Sequence, residues 1–218
     1  ARGRGGATCQ GTLTLTLTLT LTLTLTLTLT LTLTLTLTLT LAQVIDLERM
    51  GKPEKVLREA TVLDADILKV SSFLNHMVDV ELMEACGEEL AERLQEEQAT
   101  KVLTVEATGL LPAMFVGKAL GLPVIFARKS RQIGVSDSYQ ASYKSQVKSS
   151  TSDVYVSTEY LTAGDRVIII DDFLAGGTTA DALIRICRMA NARVVGCGFL
   201  IEKWSDAGRA FLSGYGLT

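Results

Sequence analysis

Two adjacent carboxylates, Asp171 and Asp172, stand directly before Phe173-Leu174-Ala175-Gly176-Gly177-Thr178-Thr179. Paired glycines let a backbone come close to an anion. The amides of Ala175, Gly176, Gly177, Thr178 and Thr179 would point at it, and the start of the following helix adds positive potential. Both threonines offer hydroxyl donors. The chemistry this suits is the holding of a phosphate. Asp171 and Asp172 stand too near a phosphate to ligate it, so they suit neighbouring hydroxyls or a metal-bound sugar. No Lys follows the glycines, which excludes a Walker loop, and the spacing excludes the dinucleotide fingerprint. The bland alternative is an ordinary strand-loop-helix junction with a capping threonine.

Two further places carry charge. Glu106-Ala107-Thr108-Gly109 follows the apolar run Val102–Val105 and precedes a helical pattern, a second candidate anion site. Arg128 and Lys129 follow Val124–Ala127, where two adjacent cations suit a polyphosphate or a solvated surface. Asn75 and His76 lie in a predicted loop with Phe73 and Leu74, able to hydrogen-bond a heterocycle or simply to cap the next helix. His76 is the sole histidine, which excludes a His-built metal site or triad; no metal site is predicted. The four cysteines have no metal-type spacing and read as free thiols in a reducing compartment.

These groups need a scaffold. Val167–Ile170 reads as a buried strand ending at the acidic pair. A helix is predicted over about 178–191, with Ala182, Ile186, Met189 and Ala190 inward. Others are predicted over about 80–95, 110–120 and 206–212, with a short one near Pro53. Further strands fall at 102–105, 124–127 and 194–201. Residues 133–158 are rich in Ser, Tyr, Lys and Gln, which suggests a lid or hairpin. The alternation implies an α/β fold, an open, mainly parallel sheet flanked by helices, with its sites at the strand C-termini.

Residues 1–43 stand apart. They hold a Gly/Arg-rich leader and an unbroken Thr-Leu repeat over Thr12–Leu41. A perfect period-two repeat cannot fix its own register, and half its residues are Thr, which speaks against a membrane helix. It is expected to be low-complexity, disordered and outside the chemistry, leaving one domain over 44–218. The net charge of −3 gives no argument for nucleic acid or membrane.

The acidic pair and its loop resemble the signature of the type I phosphoribosyltransferases. Leu68-Lys69-Val70, Phe73-Leu74-Asn75-His76, Glu106–Ala113, Phe126-Ala127-Arg128-Lys129 and Ile201-Glu202-Lys203 are similar to the xanthine-using branch of that family. The resemblance spans about 62–215. It implies a small hood and the transfer of a phosphoribosyl group from 5-phosphoribosyl 1-pyrophosphate to xanthine in purine salvage. Another purine, or a non-catalytic regulator that senses phosphoribosyl pyrophosphate, is the alternative. Asp171 and Asp172 would be catalytic, Leu68, Asn75 and Lys203 would meet xanthine, and Ala175–Thr179 would hold the 5-phosphate. Glu106–Gly109 with Arg128 and Lys129 would hold pyrophosphate, with Mg2+ bound to the substrate. A cytoplasmic homodimer is implied. In hypoxanthine-guanine relatives an Asp stands at the place of Ala175. The family continues past Gly214-Tyr215-Gly216, so the domain is expected to be C-terminally incomplete.

Overall fold

A computed structural model describes residues 60–64, 67–131, 134, 137–144, 150–203 and 207–216. The leader, the Thr-Leu repeat and the helix expected near Pro53 lie outside the described residues.

Four parallel strands form the central sheet in the order β4-β3-β7-β8. They are β3 (Lys101–Val105), β4 (Val124–Ala127), β7 (Arg166–Leu174) and β8 (Arg193–Glu202). Val167 to Ile170 are fully buried, as expected of a central strand covered on both faces. The expectation that this strand ends at the acidic pair is corrected: β7 runs on to Leu174. Asp171, Phe173 and Leu174 still pair with Phe199, Ile201 and Glu202 of β8, so the strand carries the carboxylates within it.

One face of the sheet is covered by α1 (Val80–Leu94) and α2 (Leu110–Leu120). Ala91, Leu94, Ala113 and Val116 pack there against Val102, Ile168 and Ile170. Asp79 starts α1 by accepting a hydrogen bond from the amide of Leu82 at 3.1 Å. The two helices touch closely: a β-carbon added to Gly87 would lie 2.2 Å from Cβ of Phe115. The other face takes α3 (Thr178–Met189) and a hairpin of β5 (Ser138–Lys144) and β6 (Thr151–Ser157). Ala182, Leu183, Ile186 and Ala190 are buried there, but Met189 is 46% exposed, correcting the inward placement expected for it. The buried face runs through Ala182, Leu183, Ile186, Cys187 and Ala190, and the helical period turns Met189, beside the exposed Arg188, away from it.

A small hood packs on α1 and the end of β8. The hairpin of β1 (Thr61–Asp64) and β2 (Ile67–Lys69) leads into a π-helical turn over Ser71–Asn75. Phe73 and Leu74 are buried there with Val70, Leu82, Met83, Cys86 and Ile201. Asn75 and His76, expected in a loop, stand at the end of that turn. The last helix, α4 (Gly208–Ser213), follows β8.

Candidate active site

Strands β3 and β7 are neighbours, with Leu103 opposite Ile169, so the loops at their C-terminal ends face one another. Between them is a cleft of about 300 Å³, at the small end of the range for ligand sites. Its wall holds Asp171, Asp172, Phe173 and the loop Ala175 to Thr179 from β7 and the start of α3. From the β3 side come Val105, Glu106, Thr108 and Gly109, and Lys129 enters from the end of β4.

The loop owes its shape to glycine. Gly177 has φ of 76° and caps α3 without any side-chain bond. A left-handed residue at this place favours glycine. The first amides of α3 are therefore available to an anion in the cleft. The Thr178 hydroxyl donates instead to the carbonyl of Lys144 in the hairpin, at 3.1 Å.

Asp171 is buried and Asp172 half-buried. Burial first, and then the neighbouring Asp172 carboxylate, push the Asp171 carboxyl well above the usual range. Oδ1 of Asp171 accepts the amide of Asp172 at 3.0 Å, and Oδ1 of Asp172 accepts the amide of Phe173 at 2.9 Å. Two carboxylates so held can take up hydroxyl donors or positive charge in the cleft.

The cation pair is divided. Lys129 lines the cleft, while Arg128 does not. Nε of Arg128 lies 2.8 Å from Oε2 of Glu106, and its guanidinium stands 5.6 Å from the ring of Phe126. The other Glu106 oxygen accepts the backbone amide of Lys129. Glu106 thus ties the β3 turn to the end of β4 and orients the segment that carries Lys129. Ala107 belongs to the same turn, but its side chain does not line the cleft.

The three residues expected to meet a purine are not on this wall. Leu68 packs half-buried on the hood cluster, and Asn75 is exposed. Lys203 follows β8, its amide bonded to the carbonyl of Leu174 at 2.7 Å. Phe173 joins the two regions, lining the cleft and also packing on the hood cluster.

Tyr143 was not singled out by sequence reasoning, yet it lines the cleft from β5. Burial raises its phenol pKa, the charge of Asp171 raises it further, and a hydrogen bond with Ser152 acts the other way. Its signal was an aromatic two places after the inward-facing Ala141 on a polar strand. Cys86, Cys187 and Cys197 are free thiols that burial pushes up to about 12, so they stay protonated and unreactive near neutrality.

The two central strands of a parallel sheet thus end in opposed small-residue turns on one cleft, with an acidic pair at its wall. The family model for the phosphoribosyl transferase domain matches residues 78–210, and the chain belongs to that family. It is 42% identical over 165 residues to the xanthine phosphoribosyltransferase of Listeria monocytogenes, covering 75% of this chain and 86% of that one. Against the xanthine phosphoribosyltransferase of Bacillus licheniformis it is 44% identical over 164 residues, covering 75% and 84%. Among solved structures, adenine phosphoribosyltransferase from Thermoanaerobacter pseudethanolicus superposes with a TM-score of 0.63 at 22% identity, covering 76% of this chain and 96% of that one. The adenine phosphoribosyltransferase from Rhodothermus marinus gives 0.60 at 29% identity, covering 72% and 90%.

Proposed function

We propose that this chain is a xanthine phosphoribosyltransferase, forming XMP and pyrophosphate from xanthine and 5-phosphoribosyl 1-pyrophosphate. The observation that carries the transferase reading is the cleft itself. Ala175 to Thr179 face Glu106, Thr108 and Gly109 across the acidic pair, with Lys129 beside them. The choice of purine rests on the relatives that are 42% and 44% identical to this chain over 165 and 164 residues.

In this reading the amides of Ala175 to Thr179 hold the 5-phosphate. The turn Glu106–Gly109 and Lys129 hold pyrophosphate, with Glu106 acting through Arg128 and the Lys129 amide, since its own charge repels the ligand. The bond from the anomeric carbon to pyrophosphate breaks and a bond to a purine ring nitrogen forms, that nitrogen having given its proton to solvent before the purine binds. Asp171 and Asp172 face the ribose and stabilise the positive charge that builds there. Leu68, Asn75 and Lys203 would approach xanthine from the hood and from the end of β8.

Among the described residues no cluster of three or more His, Cys, Asp or Glu side chains could cage a metal. The donors on the wall are Asp171, Asp172 and Glu106. One or two carboxylates plus substrate oxygens is what magnesium takes, so the set fits an ion carried in with the substrate. When bound it would neutralise charge on the leaving pyrophosphate.

Ala175 has no carboxylate to accept the purine proton. Xanthine is an acidic purine and can bind already deprotonated, so no strong base is needed. A cytoplasmic homodimer belongs to the same proposal. The outer strand β4 presents Phe126, 37% exposed, beside a groove lined by Arg128, Arg131 and Tyr160, a surface suited to a second copy.

The test is a phosphoribosyl transfer assay on the full chain with xanthine, guanine, hypoxanthine and adenine. Nucleotide made preferentially from xanthine, and reduced about a hundredfold or more in Asp172→Asn, is the expected result. Binding of phosphoribosyl pyrophosphate without turnover on any purine would replace the enzyme with a sensor of that metabolite.

A further inference from the structure

We infer that Gly208 is a positioning residue for the phosphate loop, through a brace that α4 forms behind it. The inference rests on the proposal that Ala175 to Thr179 hold a sugar phosphate. A β-carbon added to Gly208 would lie 2.0 Å from the carbonyl oxygen of Ala175 and 2.9 Å from Cδ1 of Leu174. Only a residue without a side chain lets α4 come this near. The contact continues along the helix: a β-carbon on Gly177 would lie 3.0 Å from Cδ1 of Phe211.

The Ala175 carbonyl therefore faces α4, which contributes no residue to the cleft wall. In a trans peptide the carbonyl and the next N–H point in opposite directions. Turning the Ala175 oxygen towards Gly208 turns the Gly176 amide the other way, into the cleft. Gly208 thus sets the direction of a donor that it never touches.

The brace is itself fixed at both ends. Glu202 is buried, and its carboxylate accepts Arg209 Nε at 3.0 Å to each oxygen, with Nη2 bonded as well. A fork of this kind fixes direction as well as distance. Glu202 stands next to Lys203, so the same pair ties the brace to the strand end that carries a candidate purine contact. Beyond α4, Tyr215 donates to Asp181 of α3 and lies under the Arg188 guanidinium at 4.8 Å. The phosphate loop is held between α3, which starts from it, and α4, which backs it.

The experiment measures binding of ribose 5-phosphate by calorimetry to the full chain and to Gly208→Ala, Arg209→Ala and Arg209→Lys, with unfolding midpoints alongside. Gly208→Ala should weaken binding about tenfold or more, the scale of one charge-assisted loop hydrogen bond. Arg209→Ala should weaken it about threefold, with Arg209→Lys between it and the parent. The Gly176 amide resonance should shift on adding ribose 5-phosphate to the parent and not to Gly208→Ala. Unchanged affinity in both Gly208→Ala and Arg209→Ala overturns the brace. If Gly208→Ala does not fold, unchanged affinity in Arg209→Ala alone overturns it. A parent that binds no ribose 5-phosphate overturns the loop assignment and the brace together. Parent turnover that favours another purine, with these affinity losses intact, overturns only the substrate choice.

Discussion

Gly109 stands so close to Asp171 that a β-carbon there would lie 2.3 Å from the carboxylate oxygen Oδ1, and 2.6 Å from Oγ1 of Thr104. The β3 turn is therefore packed onto the acidic pair of β7. Gly109→Ala must displace either the carboxylate or the turn. The expected outcome is a fall in turnover of about a hundredfold, with overpacking costing about 1–3 kcal/mol of stability. Steady-state kinetics with a denaturant titration checks both; full activity would show that the turn can yield without moving Asp171.

Asp171 is buried at a cost in stability. Its folded pKa is raised by burial and then by Asp172, so its favourable contribution is complete below the unfolded value of about 3.9 and is lost as pH rises through the folded value. At neutral pH the carboxyl is a cost. Asp171→Asn keeps an oxygen for the Asp172 amide and removes the charge. It should stabilise the protein by about 1 kcal/mol at pH 7 while abolishing turnover. Thermal unfolding of the two proteins at pH 7 decides it, and a less stable Asn variant would count against the burial argument.

Asp165 behaves in the opposite sense. Burial alone would raise its pKa, but hydrogen bonds from Lys101 and from Thr162 outweigh that and hold it below the usual carboxylate range. Its oxygens accept Lys101 Nζ at 2.9 Å, the Thr162 amide at 2.7 Å and the Thr100 hydroxyl at 3.2 Å. A depressed pKa gives stability that is present above about 3.9 and lost as pH falls through the folded value. Asp165→Asn should cost about 2 kcal/mol at pH 7 and flatten the acid limb of the stability curve. An unchanged acid limb would assign that limb to other carboxylates.

The absence of a carboxylate at Ala175 leads to a pH–rate prediction. Turnover with saturating phosphoribosyl pyrophosphate should rise along the titration of free xanthine and level off above it. A flat profile through that range would mean that the protein supplies a base after all.

Much of this architecture was legible in the chain. The run Val167 to Ile170, the acidic pair and the paired glycines located the central strand and the loop, because apolar continuity and glycine spacing are local signals. The end of β7 was not, because pairing with β8 extends the strand past two carboxylates that local pattern would end it on. The division of Arg128 from Lys129 was not legible, because it depends on Glu106 of the turn after β3, which pairs with the Arg128 guanidinium. Tyr143 was hidden by its polar neighbours, and its position depends on how the β5–β6 hairpin lies on α3. Of the residues proposed to meet the purine, Lys203 lies far along the sequence from Leu68 and Asn75, and local pattern does not show how they would meet.

The sheet order β4-β3-β7-β8 has a consequence for biogenesis. The strand that carries the acidic pair lies between partners on both sides, yet it leaves the ribosome only after β3, β4 and the hairpin. Until then Val102 and Leu103 lack a neighbour along one edge, and the nascent chain carries an open apolar seam. Insertion of β7 closes that seam and creates the cleft in a single event. A ribosome stalled between β6 and β7 would therefore hold a chain without a site and with a sticky edge, and chaperone capture should peak at that interval of translation.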